Sequence, residues 1–206
     1  MSKLDKKQNK TYLLLPLIAV LCIGWAGSWD ELKSTAGTVT SVTAAFRQEK
    51  HLKILARPLI SEGVFYYQAP RSLRWEYTHP VQSILLMHDG SVKRYVQTAS
   101  GLEMERSAGL DAMQVVLDEI TRWLQGRFDE SEMFAAQLEG AGRIVLTPKE
   151  KGFKEIIQRI EIHLAEEPGM IRDVFIFESP EAYTHMLFSD TALNAPIDAS
   201  IFRAVP

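Results

Sequence analysis

Side chains able to carry out chemistry are few in this sequence, and they are scattered. The five histidines are His51, His79, His88, His163 and His185, and none has a second His or a Cys at metal-ligand spacing. Histidines so placed read as rim or surface residues, so neither a metal nor another cofactor is expected. Cys22 is the sole cysteine, which excludes an internal disulfide framework and any multi-thiolate site. A Gly-x-Ser-x-Gly element is absent, so a serine hydrolase would lack its nucleophile elbow. Gly101 and Gly109 do not follow the strand-to-helix pattern of a phosphate loop. Glu161 and the Glu166-Glu167 pair suggest paired carboxylates, but strand alternation and the Pro168-Gly169 turn account for them as exposed charges. The chain reads as a non-enzyme.

The remaining chemistry is that of binding. In Leu73-Arg74-Trp75-Glu76-Tyr77, large apolar side chains alternate with charges, which gives a strand one apolar and one wet face. Phe175 and Phe177 alternate with Val174 and Ile176, and Met186 and Phe188 alternate with His185 and Leu187. A wide sheet with one apolar face must curl to bury it. Either a half-barrel core filled by its own helices or a partly empty cavity for an apolar ligand satisfies this pattern. Composition and periodicity do not separate the two.

The elements that must position these residues are legible from spacing and punctuation. Leu32, Ala36, Val39 and Val42 recur at three- and four-residue intervals, predicting a short helix over Trp29–Val42, with extended chain from Thr43. Strands are predicted over Leu59–Gln68, Ser72–His79, Gln82–His88 and Ser91–Thr98. Asp89-Gly90 marks a hairpin between the last two, and short connections imply an antiparallel meander. Leu110, Met113, Leu117, Ile120 and Leu124 form one stripe of a second helix, with Asp111 near its start and Gly126 just past its end. Further strands follow over Met133–Glu139, Arg143–Thr147, Glu155–Leu164, Met170–Glu178 and Tyr183–Ser189, and Asp198–Ile201 adds a helical turn. The fold class is thus mainly β with some α, an antiparallel sheet with two or three helices.

Composition restricts the setting. With 206 residues, 46% of them apolar, the chain is neither disordered nor of low complexity, and 23 basic against 26 acidic residues excludes a strongly basic nucleic-acid binder. Residues 1–26 read as a cleavable signal peptide. Lys3, Lys6, Lys7 and Lys10 precede the uncharged run Tyr12–Trp25, too short to span a membrane, and Gly24 and Ala26 suit cleavage after Ala26. An uncleaved anchor is the alternative. Lipidation at Cys22 is disfavoured by the bulky Leu21 before it. The leader takes four basic residues and one acidic residue, so residues 27–206, about 180 residues in one domain, carry 19 against 25, a net −6, and no thiol. That charge argues against electrostatic adhesion to a membrane.

One pattern resembles a known family. Gly63-Val64-Phe65, Pro70, Leu73-Arg74-Trp75-Glu76-Tyr77 and Pro80, followed by the Asp89-Gly90 turn, are similar to the outer-membrane lipoprotein carrier family, LolA. Phe46-Arg47-Gln48 matches its F-x-Q element, and Leu146-Thr147-Pro148 and Asn194, Ile197, Asp198 and Phe202 match later signatures. The resemblance implies an incomplete eleven-stranded barrel (a half-barrel) lidded by three helices. It further implies a periplasmic carrier, or chaperone, that works as a monomer. Such a carrier takes acylated lipoprotein from an inner-membrane ABC exporter complex to an outer-membrane acceptor. On this reading the cavity is expected to be lined by Phe65, Leu73, Trp75, Tyr77, Leu85, Phe175, Phe177, Met186 and Phe188, with Leu32, Val39, Leu110, Met113, Leu117 and Ile120 contributed by the lid. The family places an Arg immediately before the Pro that corresponds to Pro70. Here that residue is Ala69, and Arg71 is the candidate for the lid contact. The Lys50–Ser61 stretch and the end at Val205-Pro206 also depart from the pattern. A carrier of another acylated lipid, such as a glycolipid, and a lipid- or lipoprotein-sensing interaction domain are the alternative readings.

Overall fold

The computed structural model describes residues 28–105, 110–140, 142–203 and 205, with the side chains of residues 110–113 outside that description. The predicted leader and its cleavage site also lie outside it. Eleven strands form one antiparallel sheet: β1 (Ser41–His51), β2 (Leu59–Gln68), β3 (Ser72–His79), β4 (Ser83–His88), β5 (Ser91–Thr98), β6 (Gly101–Met104), β7 (Phe134–Glu139), β8 (Arg143–Pro148), β9 (Arg159–Leu164), β10 (Ile171–Ser179) and β11 (Ala182–Leu193). Their order is β6-β5-β4-β3-β2-β1-β11-β10-β9-β8-β7, so two meanders meet where β1 pairs with β11. Strands β6 and β7 are the free edges, and the sheet is not closed. Three α-helices accompany it: α1 (Trp29–Ala36), α2 (Leu110–Leu124) and the single turn α3 (Lys151–Lys154), with 3₁₀ turns at Phe128–Glu130 and Ala199–Phe202. The open half-barrel with three helices is the expected fold.

Local chemistry explains most boundaries. Ser28 caps α1 by accepting from the Glu31 amide at 3.1 Å, and Asp30 and Glu31 occupy its positive first turn. The helix ends at Ala36, short of the predicted Val42. Gly37 and the β-branched Thr38, Val39 and Thr40 disfavour its continuation, and β1 already begins at Ser41. Asp89 and Gly90 turn with φ of 50° and 75°, the two positive values that a tight two-residue hairpin between β4 and β5 requires. The predicted strand from Glu155 begins instead at Arg159, because residues 151–154 coil into α3. Strand β6 escaped the sequence reading.

The motif residues have structural duties. Phe46 sits edge-on to Trp75 at 5.5 Å and to Tyr77 at 5.1 Å, while the Tyr77 hydroxyl donates to Gln48 Oε1 at 2.8 Å. The F-x-Q element of β1 is thereby tied across β2 to the aromatic strand β3. Asn194 closes the end of β11 by accepting from the Thr40 amide at 2.7 Å and the Thr40 hydroxyl at 3.0 Å. Asp198 caps the final 3₁₀ turn through the Ser200 amide at 2.8 Å. That turn packs on β3 and β4, on the face away from α2. There the buried Arg74 donates to the Ile201 carbonyl at 3.0 Å, and His88 stacks on Phe202.

Candidate functional site

Between the helices and one face of the sheet lies a cavity of about 200 Å³. Strand register decides which residues reach it, because partners directly across a ladder share a face. Ala44 faces Phe65, and Phe65 faces Trp75. On the other side of the seam, Met186 faces Val174, and Thr184 faces Ile176. Ala44, Phe65, Trp75, Met186, Val174 and Ile176 all line the cavity, with Val42, Phe188, Leu193, Ile160 and Leu164 from the same sheet face. The helices close it with Leu32, Thr35 and Ala36 from α1 and Val116, Glu119, Ile120, Trp123 and Leu124 from α2. Phe128 and Phe153 contribute from the neighbouring turns. Glu119 is the one charged side chain among these lining residues.

Six of the residues singled out from sequence meet here: Phe65, Trp75, Met186, Phe188, Leu32 and Ile120. The others stand elsewhere. Leu73 is fully buried between its ladder partners Tyr67 and Met87, in the core rather than at the cavity wall. Leu117 and Val39 are likewise buried in that core, and Val39 follows α1 instead of belonging to it. Tyr77 and Leu85 pack against the core without reaching the cavity. The side chains of Leu110 and Met113 lie outside the described residues.

Phe175 and Phe177 require a correction. They lie on the opposite face of the sheet, because Phe175 pairs with His185 and Phe177 with Tyr183, one residue out of step with the cavity-facing Val174 and Ile176. Their apolar rings are covered there by other π systems and by a cation. Phe175 stacks on His185 at 3.9 Å, and the Arg159 guanidinium lies 3.7 Å above the Phe177 ring. The same face gathers residues that sequence spacing had left apart. His163 Nδ1 lies 2.6 Å from Asp173 Oδ1, His185 Nε2 lies 3.8 Å from that oxygen, and His51 stacks on Tyr183. Among the described residues, no group of three or more His, Cys, Asp or Glu is placed to hold a metal ion. Glu161, expected to be exposed, is buried between Arg159 at 2.6 Å and Arg143 at 2.9 Å. Burial pulls its carboxyl upward, but the two guanidinium groups outweigh this and hold it below the usual range.

The helices are fastened to the sheet at identifiable points. Arg71, just before β3, places Nη2 3.2 Å from Asp118 Oδ1 on α2. Gln125 at the end of α2 donates to the Tyr67 hydroxyl and to the Pro70 carbonyl, both at 3.3 Å. Burial pushes the Tyr67 phenol upward, so this hydroxyl stays protonated. Helix α2 closes through Gly126, whose φ of 71° allows the Arg127 amide to reach the Arg122 carbonyl at 2.9 Å and its own amide to reach that of Trp123 at 2.9 Å. A Cβ at Gly126 would stand 2.7 Å from the Leu32 carbonyl oxygen and 2.9 Å from Ala36 Cβ, so the glycine also lets α1 and the end of α2 touch. Lys33 joins α1 to the next turn through Asp129 at 3.1 Å and Glu130 at 3.2 Å.

The arrangement can shelter hydrocarbon. Its walls are almost wholly apolar, and among the described residues its helices are held by the ion pairs of Arg71 and Lys33 and a few neutral hydrogen bonds rather than by continuous backbone pairing. Trp123, Leu124, Phe134 and the β9–β10 wall were not among the expected lining residues, although Leu124 lies on the helical stripe read from the sequence.

The model of the outer membrane lipoprotein carrier protein LolA family matches residues 37–205. An outer-membrane lipoprotein carrier protein of Pseudoalteromonas translucida (strain TAC 125) is 22% identical over 202 residues, covering 98% of this chain and 93% of the relative. Among solved structures, a DUF1329 family protein from Desulfovibrio piger ATCC 29098 aligns with TM-score 0.47 at 9% identity, covering 85% of this chain and 95% of that one. A LolA superfamily protein from Nitrosomonas europaea aligns with TM-score 0.43 at 10% identity, covering 87% and 99%. With its family model matched over nearly all of the described residues and a lidded apolar cavity on an open eleven-stranded sheet, this chain belongs to the LolA family of outer membrane lipoprotein carrier proteins.

Proposed function

We propose that the protein is a non-enzymatic periplasmic carrier that shields the acyl chains of lipoproteins and moves them from the inner to the outer membrane. The observation that carries this reading is the cavity itself, almost wholly apolar on both sheet and helix walls yet smaller than the roughly 300–1,000 Å³ of ordinary ligand pockets. Each buried CH₂ is worth about 0.8 kcal/mol, so a long acyl chain does not cross water uncovered. A chain of that length enters only if α1 and α2 withdraw and give up their own contacts with the sheet. Competition between lid and cargo for one surface supplies both protection and release. In this reading Phe65, Trp75, Met186 and Phe188 hold the cargo, Leu32 and Ile120 cover it, and Arg71 latches the lid. The inner-membrane ABC exporter and the outer-membrane acceptor are the partners such a carrier requires.

Two measurements test the reading. Mass spectrometry of protein isolated from its native periplasm should find acylated species bound, and purified protein added to spheroplasts should release lipoproteins into the supernatant as a complex. Bound lipid without lipoprotein release would assign the cargo to another acylated molecule. Protein that is empty and accepts no acyl chain would overturn the carrier reading.

A further inference from the structure

The cavity is not uniformly apolar, and its exception is specific. Glu119, on the cavity-facing side of α2, is only 5% exposed, and its Oε2 is buried with no hydrogen-bond partner among the described residues. Among the described residues its other oxygen is paired with Arg122 Nη1 at 4.0 Å, beyond hydrogen-bond length. One helical turn along, Trp123 also lines the cavity, and its indole Nε1–H is likewise buried and without a partner. Positions four apart share a helix face, so an unmet acceptor and an unmet donor stand side by side on the lid wall. An unmet polar group under an apolar sheet is costly, and a cavity meant for plain hydrocarbon gains nothing from two of them.

We infer that Glu119 and Trp123 form a polar station that recognises a donor–acceptor group on the acyl ligand, either a hydroxyl on the chain or a secondary amide joining the chain to its carrier molecule. Such a group gives its hydrogen to the Glu119 carboxyl and accepts one from the Trp123 indole. An ester or a bare chain satisfies at most one of the two. An ammonium satisfies only the carboxyl. The inference rests on the carrier reading and narrows its ligand. The station also fixes depth, because the hydrocarbon extends toward Phe65 and Met186 only when the polar group stops at α2.

The test is displacement of N-phenyl-1-naphthylamine from the purified protein by three chains of equal length: methyl tetradecanoate, methyl 3-hydroxytetradecanoate and N-methyltetradecanamide. The hydroxylated chain, the amide or both should compete about tenfold more strongly than the plain ester, as one or two additional satisfied hydrogen bonds allow. A gain for the hydroxyl alone assigns the station to hydroxyacyl lipids, and a gain for the amide alone to amide-linked acyl groups. In Glu119→Leu and Trp123→Phe, each checked by its thermal melt, the preference for the hydroxylated or amide chain over the plain ester should shrink to within about twofold. Equal competition by all three chains in the native protein would overturn the station and leave the carrier reading standing, as would a preference that survives both substitutions. Failure of every chain to displace the probe would overturn the carrier reading itself.

Discussion

At the scale of single residues, His185 carries a pH signature. Its ring is stacked on Phe175 on the outer face of the sheet, and its pKa is lowered mainly by burial. The neighbouring His51 and His163 act in the same direction, and Asp173 and Glu49 oppose them without prevailing. A group whose folded pKa is depressed takes up protons more readily when unfolded. The stability it contributes is complete above its unfolded pKa, about 6.5 for imidazole, and is lost as pH falls toward the folded value. Denaturant melts should therefore show stability declining as pH drops from about 7 to 5. His185→Phe, which keeps the stack on Phe175, should flatten that decline, and an unchanged slope would assign the acid sensitivity elsewhere. The strand paired with it, β10, shows where sequence runs out. Trp75 was legible as a cavity residue because its strand alternates apolar with charged side chains, and Phe65 through the Gly63-Val64-Phe65 motif before it. In Val174-Phe175-Ile176-Phe177 both faces are apolar, so a period of two has no phase to read. Bulk then favoured the phenylalanines, and the ladder put Val174 and Ile176 inside instead. Glu119 was unreadable for a related reason. A glutamate on an amphipathic helix is ordinarily solvated, and only the docking of α2 buries it.

At the scale of elements, the lid is the part whose hold is weakest. The Arg71–Asp118 pair is largely exposed on the arginine side, so it is worth at most about 1 kcal/mol, less at high salt. That magnitude suits a latch. Arg71→Leu should leave the melt nearly unchanged while speeding amide exchange of α2 by a few-fold, and unaltered exchange would reduce Arg71 to a surface charge. Gly126→Ala is a harsher change. It strains a left-handed residue and drives a methyl into the Leu32 carbonyl, at a cost of about 1–3 kcal/mol, or about 2–4 °C in Tm for each kcal/mol. Probe uptake should rise in this variant as α1 lifts, whereas a lowered Tm with unchanged uptake would make the glycine purely structural. These elements were largely legible because caps and stops are local signals. Gly126 marked the end of α2, and Asp89-Gly90 marked its hairpin. Helix α1 was overextended because Val39 and Val42 continue the helical spacing into a segment that β2 and β11 recruit as a strand. Pairing between partners so distant in sequence is a tertiary choice, which local propensity does not record.

At the scale of the whole molecule, the two meanders and the lid answer to different forces. Backbone pairing runs unbroken from β6 through the β1–β11 seam to β7, whereas α1 and α2 rest on side-chain contacts around an unfilled space. A ligand that enters between them binds only the folded chain, so at about 100 times its Kd it adds about 2.7 kcal/mol to stability. For a chain of this size that corresponds to a rise in Tm of about 5–10 °C. The same ligand must displace helix contacts to fit, so stability and local order should move in opposite directions. With saturating acyl ligand, amides of β1, β2, β10 and β11 should exchange more slowly while those of α1 and α2 exchange faster than in the free protein. A plain filled pocket predicts slower exchange everywhere, and that result would remove the lid from the mechanism. Opposed changes would mean that the free energy of cargo binding is spent partly on opening the molecule, which leaves a loaded carrier whose helices are free to close again when an acceptor draws the chain out.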